Sequence, residues 1–178
     1  MVSGHVFIGT SLDGFIARSD GDIEWLTSFS GLDGDLGYDA HMARVDGIIM
    51  GRGSFDAVKS TEPWLYPKPV LVLSHTLTDG DVPQALQGKV EIVDATPRDA
   101  MLIAAERGWR GVYVDGGAVI QSFLRAGLIN DMIISRVPVL IGDGLPLFGA
   151  LPGDIALEHV ETNSFPSGIV QSFYRVVQ

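Results

Sequence analysis

Three observations in this sequence predict an α/β fold: a three-layer arrangement on a mostly parallel, mixed sheet that ends in a C-terminal antiparallel hairpin. Short apolar runs alternate with segments of helical length and pattern along most of the chain, as in a parallel sheet covered on both faces. Two of those runs, Asp46-Gly47-Ile48-Ile49-Met50 and Gly111-Val112-Tyr113-Val114, break directly into glycines and then into a helix-like segment. The tail has a different rhythm, with strands expected at 156–165 and 169–177 around Pro166-Ser167-Gly168.

Taken in order, residues 5–10 read as a buried strand, followed by the turn-rich segment Ser11-Leu12-Asp13-Gly14-Phe15-Ile16-Ala17 and a polar, glycine-rich loop through Asp35. A loop longer than about 12 to 15 residues is uncommon in a compact domain unless it binds something or is disordered. A short helix is expected from Asp35 to Arg44, a strand at Ile48–Met50, a helix from Ser54 to Lys59 and a strand at Pro69–Leu73. A weaker strand, Val90–Val93, precedes Thr96-Pro97, an N-cap with proline in the first turn, which opens a helix to Arg107. Met101, Leu102, Ala105 and Trp109 are its expected buried face. Val112–Val114, a helix over Ala118–Ala126 and a strand over Met132–Val137 complete the alternation. No repeat, linker or low-complexity tract divides residues 1–178, so one domain is expected.

With 46% apolar residues the chain can bury about two-thirds of its unfolded surface. A net charge of −10 and a pI near 4.6 argue against general nucleic-acid binding, which needs basic surface, but not against one locally held phosphorylated ligand. There is no cysteine, which removes disulfides, thiolate metal sites and a cysteine nucleophile. The four histidines, His5, His41, His75 and His159, show no ligand spacing, so no metal is expected. No Gly-x-Ser-x-Gly, phosphate-loop lysine or Ser/His/Asp sequence signature points to a hydrolase or kinase. The amino terminus lacks a signal-peptide pattern and no apolar run nears the ~20 residues of a membrane span, so a soluble cytoplasmic protein is expected.

The two strand–glycine–helix junctions are the chemical signal. Glycine lets a ligand approach the backbone, and the unpaired N–H groups and dipole of a helix start favour an anion. Arg52 adds a cationic fork suited to phosphate, with a surface ion pair as its alternative role. No Gly-x-Gly-x-x-Gly follows the first strand, so the usual dinucleotide-binding arrangement is not expected.

In their order and spacing, Ser11-Leu12-Asp13-Gly14, Met50-Gly51-Arg52-Gly53-Ser54-Phe55, Val72-Leu73-Ser74, Val114-Asp115-Gly116-Gly117-Ala118 and Pro138-Val139-Leu140-Ile141-Gly142-Asp143-Gly144 resemble the dihydrofolate-reductase-like fold. The resemblance is closer to the riboflavin-biosynthesis reductase domain and its stand-alone relatives. It implies a reductase that binds NADPH along the carboxyl edge of the sheet and passes hydride to a small heterocyclic or carbonyl-like acceptor. Carried onto this chain, it implies that Gly9, Thr10 and Ile16 line the nicotinamide, with Asp13 and Gly14 shaping the loop beside it or forming a plain tight turn. Gly51, Arg52, Gly53 and Ser54 would contact the phosphates, and Ser74 and His75 the adenosine ribose and its phosphate. Gly116, Gly117, Ala118 and Val119 would approach the diphosphate, with unusual peptide geometry at the paired glycines.

An acid on the first helix is implied at Asp35, either as the catalytic acid or as a helix-terminal residue. Tyr38, Asp39 and His41 share that helix. Trp25 matches a tryptophan of dihydrofolate reductases, but Glu24 replaces the proline expected before it. The loop from Gly14 to Tyr38 holds one cation, Arg18, among Asp20, Asp22, Glu24, Asp33 and Asp35, a poor setting for a phosphorylated substrate. An uncharged or cationic substrate and a homodimer are expected. The alternatives are an NADPH-binding protein without turnover, such as a redox sensor, a true dihydrofolate reductase, or a structural oligomer whose glycines serve only turns.

Overall fold

The computed structural model describes residues 1–177. One eight-stranded sheet organises the chain, in the order β5-β4-β3-β6-β1-β7-β10-β9. Its strands are β1 (Ser3–Thr10), β3 (Gly47–Gly51), β4 (Val70–Leu73), β5 (Val90–Val93), β6 (Gly111–Asp115), β7 (Ile129–Arg136), β9 (Leu157–Ser164) and β10 (Val170–Val176). Every pairing from β5 across to β7 is parallel; β10 runs antiparallel to β7, and β9 to β10. The expected mixed sheet and C-terminal hairpin are therefore present.

Five helices accompany the sheet among the described residues: α1 (Glu24–Thr27), α2 (Tyr38–Ala43), α3 (Arg52–Val58), α4 (Pro97–Glu106) and α5 (Gly117–Arg125). The central strands are apolar on both sides. On one face Val6, Ile49, Leu71, Val112 and Val114 pack with Ala100, Met101 and Ala104 of α4 and Val119, Ile120 and Phe123 of α5. On the other, Ile48, Met50, Val70, Val72 and Tyr113 pack with Met42 of α2 and Phe55 of α3. A third cluster joins Trp25, Val137 and Ile169 under the long loop, which accounts for Trp25 as a packing residue.

Several boundaries differ from expectation for local reasons. The loop before Asp35 contains α1, and the turn-rich segment ends in β2 (Phe15–Ala17), which pairs with β8 (Leu145–Pro146) in a small second sheet. Such pairing across more than a hundred residues leaves no periodicity in either segment. Helix α2 starts at Tyr38 rather than Asp35, because Gly37 at φ +86° is its N-cap residue. Helix α3 starts directly on Arg52. On α4 the cap is as expected, Thr96 Oγ1 accepting from the Asp99 N–H at 3.2 Å, but the buried face is Ala100, Met101 and Ala104. Leu102 and Ala105 are exposed and Trp109 lies beyond the helix, so the face is rotated from the expected one.

At the amino ends of the parallel strands, glycines meet their neighbours closely. A Cβ on Gly4 would stand 2.3 Å from the Leu128 carbonyl oxygen, one on Gly47 2.3 Å from the Trp109 ring, and one on Gly111 2.8 Å from the Arg44 carbonyl oxygen.

Candidate active site

The two glycine junctions meet. Strands β3 and β6 are neighbours, with Met50 opposite Asp115, so Gly51 and Gly116 leave the sheet side by side at its carboxyl edge. They are in close contact: a Cβ on Gly116 would lie 2.3 Å from Ser54 Oγ, and one on Gly51 would lie 3.0 Å from Val119. Gly116 itself has φ +88°, a conformation open to glycine and strained for other residues. Helices α3 and α5 start from these turns with no side-chain cap on either, so their first N–H groups are unclaimed by a cap. Gly53 has open space where a Cβ would be, and Ala118 is exposed. The unusual peptide geometry expected at Gly116-Gly117 is absent: the only cis peptide bond among the described residues is Glu62–Pro63.

Around this edge the other expected residues take distinct places. Arg52 is half exposed, its Nε donating to Asp56 at 3.1 Å and its Nη1 to Thr76 Oγ1 at 3.0 Å. Ser74 is buried and its hydroxyl accepts from the N–H groups of Thr76 and Leu77, making it the pivot of the turn after β4. His75 is exposed and hydrogen-bonded to Asp94 after β5. Thr76 and Asp94 thus belong to the Arg52 and His75 neighbourhood, which single-residue reading missed because each reaches it from a separate loop.

On the β1 side, Ile16 lies against Gly117, where a Cβ would come within 3.0 Å of its Cδ1. Thr10 is buried, and the Leu26 side chain fills the space beside Gly9, 2.7 Å from a built Cβ. Asp13 is engaged by the loop after β7: its carboxylate accepts from Ile141 N–H at 3.3 Å and Gly142 N–H at 2.8 Å. Hydrogen bonds, with Ser11 the largest contributor, hold its pKa below the ordinary carboxylate value. It ties the loop after β1 to the loop after β7, while Gly14, at φ +89°, turns the chain and accepts from Leu147 N–H.

Asp35 stands outside α2 and is exposed. Its carboxylate accepts from Gly37 N–H at 3.1 Å and Asp39 N–H at 2.9 Å, and those N–H groups, Asp39 first, lower its pKa. These bonds tie the Asp35 carboxylate to backbone N–H groups at the start of α2. Asp39 is exposed, Tyr38 meets Phe7 edge-on, and His41 is buried between Phe7 and Tyr113.

The carboxyl group held within the site is Asp115, the last residue of β6. Tyr66 Oη donates to its Oδ2 at 3.3 Å, and Tyr113 Oη lies 3.2 Å from its Oδ1. The Tyr113 hydroxyl also reaches the Phe7 carbonyl at 2.8 Å. Its single proton is shared between these two acceptors, the carbonyl contact being the shorter. Burial raises the Asp115 pKa despite opposing hydrogen bonds from Tyr113, the Gly116 N–H and Tyr66. Burial likewise keeps Tyr66 and Tyr113 protonated. Tyr38, Trp64 and Tyr66 pack on the same side of the sheet, and no lysine or arginine hydrogen-bonds to Asp115 among the described residues. An aspartate between a strand and a glycine pair reads as a turn residue in sequence, so only the tyrosines converging from elsewhere mark it.

The RibD C-terminal domain model matches residues 4–171. The chain belongs to the RibD C-terminal domain family. Within this family and fold, it is 30% identical to the uncharacterized protein YwjB of Bacillus subtilis (strain 168), over 96% of each chain. It is 30% identical to the riboflavin biosynthesis protein RibD of Corynebacterium ammoniagenes over 83% of this chain but 48% of that protein. Among solved structures, a Shewanella sp. PV-4 protein assigned provisionally to riboflavin biosynthesis superposes with TM-score 0.90 and 39% identity, covering 99% of this chain and 100% of that one. The dihydrofolate reductase of Enterococcus faecalis, solved with NADP(H), superposes with TM-score 0.68 at 13% identity, covering 99% of this chain and 97% of that one, which establishes the shared fold. No helix among the described residues is long and apolar enough to cross a membrane.

Proposed function

We propose that this RibD C-terminal domain protein is an NADPH-dependent reductase that transfers hydride to a small, uncharged or cationic heterocyclic or carbonyl-like acceptor. The observation that carries this reading is the contact between Ser54 and Gly116, which sets two uncapped helix starts side by side at the carboxyl edge of adjacent strands. The residues fit a dinucleotide diphosphate there: a side chain at Gly116 would clash with Ser54, and one at Gly53 would project into the space beside the helix start. When bound, the cofactor supplies the hydride.

The chain's own residues supply position and a proton. Arg52 and the N–H groups of Gly53, Ser54, Ala118 and Val119 hold the phosphates, with Ser74 and His75 at the adenosine end. Gly9, Thr10, Gly14 and Ile16 form the wall beside the nicotinamide, and Asp13 holds that wall against the loop after β7. We assign the acid role to Asp115 rather than Asp35. Burial raises its pKa whereas that of Asp35 is lowered, so Asp115 is the better placed of the two to give a proton to the acceptor as hydride arrives, and the Tyr66 hydroxyl stabilises the carboxylate left behind. A homodimer is part of this proposal, since β9 is an eight-residue edge strand exposed along its length, with Leu157 and Val160 on it. Sedimentation at the 19.1 kDa chain mass would count against the dimer.

Thermal unfolding with NADPH, NADP and NADH tests the reading first, because a ligand at about 100 times its Kd stabilises by about 2.7 kcal/mol. A larger rise with NADPH than with NADH is expected; no rise with any of them refutes the cofactor. Binding without NADPH oxidation across pterin, flavin-precursor, quinone and carbonyl panels would make the chain a cofactor-binding protein.

A further inference from the structure

At the opposite edge of the sheet, three residues that the reductase reading does not use stand in hydrogen-bonded series. Ser3 and His5 are two positions apart on β1 and so share a face, and His5 is in register with Asp131 on β7. Ser3 Oγ lies 2.8 Å from His5 Nε2, and His5 Nδ1 lies 3.0 Å from Asp131 Oδ2. His5 and Asp131 are each 8% exposed. Arg44, at the end of α2, donates from Nη2 to the same Asp131 oxygen at 2.7 Å, holding the carboxylate as an anion that fixes the imidazole. Arg44 Nη2 also lies 3.1 Å from His5 Nδ1. In the tautomer whose Nδ1–H is given to the Asp131 anion, His5 presents the Nε2 lone pair to the Ser3 hydroxyl, the arrangement in which a histidine activates a serine. Ser3 is partly exposed, so a reagent in solution can reach its hydroxyl.

We propose that Ser3 is a base-activated nucleophile and a site of covalent acylation, taking the acyl group of activated esters. The Ser3 Oγ–acyl bond forms as the ester C–O bond breaks. The Ser3 proton passes to His5 Nε2 and then to water, and the alcohol portion leaves with the bonding electron pair. The reaction stops at the adduct, because the nearby backbone donors are spent. Gly4 N–H is held by Asn130 Oδ1, Arg110 and Gly111 N–H by Asp46 Oδ2, and Ser3 N–H by the Arg110 carbonyl. With these N–H groups engaged, they form no oxyanion site to support rapid turnover. The same Arg110 carbonyl lies 3.0 Å from Ser3 Oγ and competes for its proton, which slows the reaction without blocking it.

The test is incubation of the full chain with p-nitrophenyl acetate, followed by peptide mass spectrometry for hydroxylamine-labile acetyl groups. Exposed Ser30 and Ser60 serve as references within the same molecule. General-base assistance contributes about 100-fold or more, so Ser3 is expected to label at least about 100-fold faster than either reference. His5→Gln should bring Ser3 to the reference rate, and Asp131→Asn should lower it while far-UV circular dichroism is retained. Labelling of Ser3 no faster than Ser30 and Ser60 overturns the proposal, as does an undiminished rate in a folded His5→Gln protein. If His5→Gln does not fold, the wild-type distribution alone decides.

Discussion

His41 should make the protein acid-labile, and replacing it with leucine should remove that lability. Its ring is 1% exposed, wedged 5.2 Å from Phe7 and 4.8 Å from Tyr113 between ring centroids, and neither ring nitrogen has a hydrogen-bond partner among the described residues. Burial, helped by the positive charge of Arg44 and the neighbouring His5 and opposed by Asp131, lowers its pKa from 6.5 to about 4. Between those values the unfolded chain takes up a proton that the folded chain refuses, so folding stability is full above the unfolded pKa and falls as pH drops through the window. From about pH 7.5 to about pH 4.5 the single-site loss is roughly 2.5 kcal/mol. Asp131, held low by its His5 and Arg44 hydrogen bonds against the effect of burial, loses stability mainly below this window. Asp115, raised by burial, contributes with the opposite sign, adding stability as pH falls toward the ordinary carboxylate value. Both groups are retained in His41→Leu and cancel in the difference. Urea unfolding of wild type and His41→Leu across this range should therefore show the variant gaining about 2.5 kcal/mol relative to wild type on the acid side. Parallel pH curves would refute the reasoning and mean that His41 finds a partner or protonates freely in the folded state.

Three further outcomes follow from the site. Arg52→Ala should weaken NADPH binding about tenfold or more and NADH binding less, by calorimetry, since a charge-assisted bond contributes roughly 1.5 to 3 kcal/mol; equal losses would move Arg52 to the diphosphate. Asp115→Asn should lower turnover by about 100-fold with NADPH affinity kept, whereas Asp35→Asn, which keeps an acceptor oxygen, should leave both fold and turnover intact; the reverse pattern would return the acid role to Asp35. Gly116→Ala should destabilise by about 1 to 3 kcal/mol from backbone strain alone and abolish the NADPH-dependent rise in Tm, because its Cβ falls against Ser54; a wild-type shift would place the diphosphate elsewhere.

The sheet was legible because its central strands are buried on both faces and so read as unbroken apolar runs, as in Ile48-Ile49-Met50 and Val70-Leu71-Val72. The junction glycines were legible because backbone geometry at a helix start restricts residue type. What stayed hidden depends on contacts between distant segments. The β2–β8 pair joins Phe15 to Pro146, and Tyr66 reaches Asp115 from another loop, so no local window contains either relation. Asp35 illustrates the converse. The resemblance implied an acid there, catalytic or helix-terminal, but residue type alone does not reveal that the Gly37 and Asp39 N–H groups bond to its two oxygens. The rotated face of α4 has a similar cause, since small Ala100 and Ala104 let the helix approach the sheet where larger Leu102 would hold it away.

The close glycine contacts at the amino edge divide the molecule mechanically. Gly4, Gly47 and Gly111 let the Leu128 carbonyl, the Trp109 ring and the Arg44 carbonyl seat against the strand starts with no slack; at the carboxyl edge Gly9, Gly116 and Gly117 are met as closely by Leu26, Ser54 and the Pro146 carbonyl, while Gly14 and Gly53 face open space. Displacement at the tight glycines would force close-packed atoms together, while the chain at Gly14 and at Gly53 can shift without collision. Any adjustment is thus confined to the turn after β1 and the first turn of α3, and amide exchange at the strand starts should stay slow whether or not NADPH is added.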